Sequence, residues 1–345
     1  MKKILLSLSL FGIMASAAFC LPKLLQRESF GIYDIENIDF NLSWENISIQ
    51  DNNESTDILI EIYCNKEKFA PTITEAGSTI ILKSSKKSSS AFETKNCTVI
   101  LKIPSDAQFE TFEMGTTSGN IHSQTVINST RLISSSTSGS QSFTEETFVQ
   151  NAKFSSTSGS IFVEAAFGET LQVSATSGSI NVQGFDGQSC SLDATSGSVK
   201  LRKASLDKLK IKTTSGSISL EGQVSQAFDV SATSGTIGLE LESAPAANSR
   251  VFATSGSIFV GIPGSSSFSL MVQTTSGTFV NALTKEKVSS HVNYTRDINN
   301  GGATVVLTAT SGRITVDSND GVTAIVNTPS IDPEIPVVTF EDTIF

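Results

Sequence analysis

Ten copies of Thr-Ser-Gly place their glycines at Gly119, Gly139, Gly159, Gly178, Gly197, Gly216, Gly235, Gly256, Gly277 and Gly312. The first nine recur every 19 to 21 residues, and an interval of 35 precedes the last. A unit of that size cannot enclose a core of its own, so the chain must bury its apolar residues by stacking one copy on the next. The period therefore constrains the fold before any local propensity is read. It specifies no chemistry.

The columns around the glycine describe how each copy is built. Two residues after it the chain is apolar in nine copies, as at Ile161, Ile180, Val199 and Ile218, with Gln141 the exception. Four after it stand Val163, Val182, Leu201 and Leu220, and five before it Phe154, Val173, Leu192 and Ile211, with Ser134 departing from the latter column. These columns alternate with a period of two on both sides of the glycine, which is strand, turn, strand. The fold class expected is all-β, a single-chain parallel β-solenoid, or β-helix, with rungs of 19–21 residues. Small residues at the third position before the glycine fit an inward bend, and the glycine relieves a crowded corner. The Thr and Ser hydroxyls either form ladders or satisfy turn amides. Binding of a ligand or an ice-like lattice is the functional alternative. Gln141 and Ser134 fall in one rung, which is expected to be looser.

Taken in order, residues 1–17 read as a secretory signal, with Lys2 and Lys3 before an apolar run and Ala15-Ser16-Ala17 as the cleavage site. Cys20 follows Ala17-Ala18-Phe19, a loose lipoprotein box with a bulky Phe19, so plain export and a lipid anchor at Cys20 both stay open. Residues 18–29 form a short linker and 30–110 degenerate N-terminal rungs and a cap. There Ile38, Phe40, Ile47 and Ile49 keep the pattern as an atypical first rung, with Glu45 in the glycine's place, and Trp44 is expected to cover the end. Residues 111–317 are the repeat solenoid, with the interruption at 284–300 read as an insertion inside it. Residues 318–345 are an extended tail.

The 34 acidic and 24 basic residues give a formal charge of −10, which disfavours nucleic acid as a partner. Cys190 lies in an apolar column and reads as a buried hydrophobe. Cys64 and Cys97 begin or end strands of one unit, and export would permit a disulfide between them. No Cys-x-x-Cys or His-Glu-x-x-His occurs, so neither metal nor cofactor is expected. His122 and His291 read as surface residues. Glu164, Asp193, Glu221, Glu240 and Glu242 are scattered over columns, and Lys200, Arg202 and Lys212 form no repeated basic line. Asp317-Ser318-Asn319-Asp320-Gly321 resembles a calcium loop, but its glycine is fifth and the terminal glutamate is missing, which favours a solvated turn. Phe162, Phe252, Phe259 and Phe185, the last assigned to an interstrand loop, are the outward aromatics. They form no evident patch.

The recurring Ser-Gly-x-Ile/Val signature, as in Thr176-Ser177-Gly178-Ser179-Ile180, joins a strand ending at Val99 to Pro104 and the final run from Gly301-Gly302 to Thr310-Ser311-Gly312-Arg313-Ile314. Together these resemble the bacterial β-strand-repeat family of "putative adhesins", a domain of unknown function, over roughly residues 30–317. The resemblance implies a right-handed β-helix of exported and envelope proteins, and it brings no catalytic residues. The function expected is a non-catalytic envelope scaffold or adhesin-like binding protein in the periplasm, outer envelope or cell surface, with an unknown protein or glycan partner and no membrane-spanning segment in the mature chain. A polysaccharide-acting β-helix enzyme and a self-assembling filament protein are the alternatives.

Overall fold

The structure, a computed structural model, describes residues 21–86 and 93–321. The expected export signal, Cys20 and nearly all of the expected tail lie outside these residues. The described chain is all-β, with a single 3-10 turn at Glu67–Phe69 and every strand joined in one continuous hydrogen-bonded sheet.

Successive Thr-Ser-Gly copies pair in parallel and in register. Ile161, Ile180, Val199, Ile218, Ile237 and Ile258 are consecutive neighbours on one wall. Val173, Leu192, Ile211, Val230 and Val251 are neighbours on a second. Every side chain at the second and fourth positions after the glycines, and at the fifth and seventh before them, is buried, and together they line one core. Burying each Val, Leu or Ile contributes about 1.5–3 kcal/mol, and a one-residue slip would expose the whole set. A third, short wall joins the other two, with Thr147, Ala166, Phe185 and Ala204 in register. Phe185 is thereby corrected: it begins the strand Phe185–Ser196 and is buried, 2% exposed. The corner at Gln183 and Gly184 resets the alternation, so parity counted from the glycine fails beyond it.

At the repeated turn, the third residue before the glycine works from inside. Gly119 N donates to Thr116 Oγ1 at 3.0 Å and Gly159 N to Ser156 Oγ at 2.9 Å. The Thr and Ser next to the glycine instead hold the stack through their backbones, as where Ser138 N donates to Thr117 O at 2.7 Å. Their side chains face solvent along the whole corner, apart from the half-buried Thr254. A Cβ on Gly139 would lie 1.7 Å from Gly119 O, so only glycine lets stacked turns approach this closely. In the Gly139 rung the polar substitutions are fully enclosed, and Gln141 Nε2 donates to Ser136 Oγ at 2.9 Å and to Ser155 O at 2.6 Å.

Stacking order departs from chain order at both ends. Thr304–Ser318 pairs in parallel with Ser249–Ser255 and Ile258–Ile262 on one side and with Phe268–Asn281 on the other. The last copy is thus inserted before its predecessor. Residues 284–300, expected inside the stack, instead supply Glu286–Ser289 and Asn293–Ile298, which run antiparallel to Phe268–Asn281 as an outer layer. The N-terminal end repeats the arrangement. Asn37–Asn41 and Asn46–Asp51, expected as the first rung, lie between the Gly119 rung and the strands Thr79–Lys83 and Cys97–Ile103. Beyond those, Thr72–Ala76 and Asp57–Cys64 are antiparallel, and Lys23–Gly31 pairs antiparallel with Asp57–Cys64. Both ends therefore present antiparallel strands, which cannot continue the parallel register of the rungs.

Cys64 and Cys97 face each other across this cap with Cα atoms 4.1 Å apart, and their sulfurs are bonded. Trp44 is half-buried edge-on against Phe69, at the turn of the rung and not over the stack's open end. Glu45 holds the glycine position: its backbone oxygen meets the Gly119 turn, and its buried carboxylate accepts from Ser43 N, Trp44 N and Ser84 Oγ.

Candidate functional site

The outward aromatics singled out by parity do not gather. Phe162 is half-buried on the Gly159 rung and Phe252 and Phe259 on the two walls of the Gly256 rung, with Asn181, Thr308 and Thr315 among their register neighbours. A stacked aromatic pair with an exposed ring forms instead between Phe148 and Phe167, on the short third wall. Their rings stack with centroids 5.0 Å apart at 16°, and Phe148 is 41% exposed. Both stand eleven residues before a repeat glycine, so the signal was a second aromatic column two copies long. Parity counting missed it because a corner intervenes. The same column holds Asn128 on one side and Asp186 on the other, which ends the aromatic strip in polar residues.

Phe148 and Phe167 line an open groove of about 840 Å³ that crosses the corner between the short wall and its neighbour. Its other lining groups include Glu110, Asn128, Gln150, Glu169 and Gln188, and none of its lining residues is Lys or Arg. Gly168 makes the corner possible, because a Cβ there would lie 1.5 Å from Val149 O. Gln150 Nε2 donates to Glu169 Oε1 at 3.4 Å, leaving the amide within reach of a bound molecule.

The candidate acids and bases separate into structural roles. Glu221 and Glu240 are register neighbours, Gly261 follows, and Asp317 follows Gly261. Burial raises the Glu240 carboxyl above its ordinary value, and the negative charges of Glu221 and Asp317 add to this. Glu164 and Asp193 are exposed on other rungs, and Glu242 is exposed two residues beyond Glu240 on the same one. Lys200, Arg202 and Lys212 lie on one strand, Val199–Ser215, and so run around the stack and not along it. His122 is half-buried between Ser48 and Ser142, and His291 is an exposed turn residue with φ 48°. In the 317–321 turn, Asp317 Oδ1 accepts from Ser318 N at 2.8 Å and Asp320 Oδ1 from Gly264 N at 3.1 Å. No set of three or more His, Cys, Asp or Glu among the described residues is placed to hold a metal ion. Burial drives the Cys190 thiol far up, so it stays a protonated core residue.

A polar cluster covers the C-terminal end of the core. Tyr294 Oη donates to Glu286 Oε2 at 2.5 Å, Thr284 Oγ1 donates to the same oxygen at 2.6 Å, and Asn281 Nδ2 donates to Tyr294 Oη at 3.1 Å. Burial and the hydrogen bond to Glu286 push the Tyr294 hydroxyl up to about 12. Arg296, 8% exposed, reaches Glu286 Oε1 at 3.9 Å. These groups put charge where a further rung would need an apolar face.

An all-β stack of glycine-cornered rungs, capped at both ends and carrying an open groove on its outer wall, defines a β-repeat scaffold. The chain belongs to the Toastrack DUF4097 family, whose model matches twice, over residues 35–167 and 165–317. The two matches meet within the strand Ile161–Ala175, so both family units share one core. Among solved structures, the chain is similar to a "putative adhesin" from Parabacteroides merdae, with 15% identity over 69% of this chain and 92% of that one and a TM-score of 0.44. It is also similar to a "putative lipid binding protein" from Parabacteroides distasonis, with 13% identity, 68% and 93% coverage and a TM-score of 0.42. A "putative adhesin" from the same organism aligns at 12% identity over 86% and 97% of the two chains, with a TM-score of 0.34. No curated protein matches the chain. No helix among the described residues is long and apolar enough to cross a membrane.

Proposed function

We propose that this protein is an exported, non-catalytic binding scaffold of the cell envelope, a right-handed parallel β-solenoid whose outer walls carry its contacts. The observation that carries the reading is the stack itself. One core holds the walls rigid from end to end, while antiparallel strands and the polar cluster at Tyr294, Glu286 and Arg296 close it. Closed ends weigh against the filament alternative, because a second molecule would meet strands running against the rung register. A rigid wall offers contacts at a fixed spacing of about 4.8 Å per rung, which suits multivalent attachment. Residues 1–17 serve as the export signal in this reading, with the mature chain starting near Ala17, or at a lipidated Cys20. Residues 30–110 form the N-terminal rungs and cap, joined by the strand Lys23–Gly31, which takes up most of the segment expected as a linker, and 111–317 form the repeat stack.

The enzyme alternative draws on the raised carboxyl of Glu240 beside Glu221 and Asp317. Incubating the purified mature protein with envelope extracts and a polysaccharide panel separates the readings. Retention without turnover is expected. Cleavage abolished by Glu240→Gln would overturn the scaffold reading, and N-terminal sequencing of the exported protein decides between Ala17 cleavage and Cys20 lipidation.

A further inference from the structure

We propose that the groove over Phe148 and Phe167 is a binding site for an uncharged polysaccharide. The inference rests on the binding-scaffold reading and deepens it by naming a ligand class. Three independent features of the groove converge on that class.

The first is the flat aromatic surface. Phe148 and Phe167 stack nearly parallel, and Phe148 is the one large hydrophobic side chain exposed on the repeat rungs among the described residues. Cross-strand packing explains why two rings lie together, but it would be met equally by burying them under the corner. Leaving Phe148 open forgoes burial, which fits a surface that another molecule covers. The C–H face of a sugar ring is a flat apolar surface of the kind that stacks on an aromatic plane.

The second is the kind of polar group around the rings. Asn128, Gln150 and Gln188 present planar amides, each carrying donors and acceptors, and Glu110 and Glu169 present acceptors. Neighbouring sugar hydroxyls both donate and accept, so amides beside carboxylates match them. A site that hydrogen-bonds hydroxyls discriminates strongly against ligands that lack them.

The third is charge and length. With carboxylates and no Lys or Arg lining it, the groove repels an acidic polymer. It runs from Glu36, whose backbone oxygen accepts from Glu110 N, across the Phe148 and Phe167 rungs to Gln188. That is five rung steps, or about 24 Å at about 4.8 Å each. An extended chain of several sugar rings fits such a trough, whereas a single small molecule would leave most of it empty.

The test is affinity electrophoresis of the purified mature protein through gels containing one neutral polymer each (β-glucan, mannan, galactomannan or dextran) or polygalacturonate, with a Lys/Arg-rich peptide titrated separately. Retardation is expected in at least one neutral gel and not in polygalacturonate. Phe148→Ala and Gln150→Ala should each weaken it at least about tenfold, Phe148→Trp should retain it, and Phe252→Ala, on another rung, should leave it unchanged. Phe148 is exposed, so its variants should keep the wild-type melting temperature, which guards against misreading a folding defect. No retardation in any neutral gel overturns the proposal. Retardation untouched by Phe148→Ala removes this site but leaves a binding scaffold standing. Salt-sensitive peptide binding lost in Glu169→Gln, without glycan binding, reassigns the groove to a cationic partner. Release of reducing ends would sink the non-catalytic reading while leaving the groove assignment to the variants.

Discussion

A Cβ placed on Gly312 would lie 1.9 Å from the carbonyl oxygen of Gly256, and one on Gly277 would lie 2.2 Å from that of Gly312. The last turn in the chain is therefore wedged between the two that precede it. Ser311 accordingly pairs in register with both Ser255 and Ser276. Neighbouring rungs are about 4.8 Å apart, within disulfide reach, while a two-rung separation of about 9.6 Å exceeds the roughly 7 Å limit. The Ser255→Cys/Ser311→Cys variant should crosslink under mild oxidation, and Ser255→Cys/Ser276→Cys should not. Mass spectrometry of non-reduced digests would show it, and the reverse result would restore simple chain order.

Repeat glycines and other glycines should separate by stability. Gly139→Ala forces a methyl group against Gly119 O and should cost more than about 2 kcal/mol. Gly238 has nothing nearer than Ile218 O at 3.9 Å, so Gly238→Ala should stay within about 1 kcal/mol of wild type. Urea denaturation of the two variants checks the contrast. Equal losses would mean that the turns are not packed this closely.

Glu240 makes stability depend on pH in a stated direction. Its folded carboxyl is raised, first by burial and then by Glu221 and Asp317, against an opposing hydrogen bond from Asn319. A raised pKa contributes stability below the ordinary carboxylate value, and that contribution is lost as pH rises through the folded value. Glu240→Gln should therefore melt roughly 1–3 °C higher than wild type near pH 7 and show no gain near pH 4. Melting curves at the two pH values would expose the opposite sign.

The bond between Cys64 and Cys97 ties the cap strand Asp57–Cys64 to the rung strand Cys97–Ile103 across a separation of 33 residues. Cys64→Ser should cost about 2–4 kcal/mol. Hydrogen exchange should then quicken in Asp57–Cys64 and Lys23–Gly31 well before the Ile180 to Ile258 rungs. Uniform loss of protection would make the cap inseparable from the stack.

The sequence by itself determined the rung. Alternation around each glycine assigned Ile180, Val182, Leu192 and Cys190 to the interior, because side-chain direction in a strand is a local property of period two. It also required glycine at the corner, since the crowding there arises from the same residue one copy away. Four features were decided by the tertiary structure. The parity of Phe185 and the meeting of Phe148 with Phe167 depend on a second corner, which the pattern around the glycines does not mark. The insertion of the Gly312 rung between Gly256 and Gly277 depends on which free edge the returning chain pairs with, and identical repeats offer equivalent edges. The two caps follow from that choice: once the final rung has entered the stack, residues 286–298 are left outside it, where antiparallel pairing closes the edge.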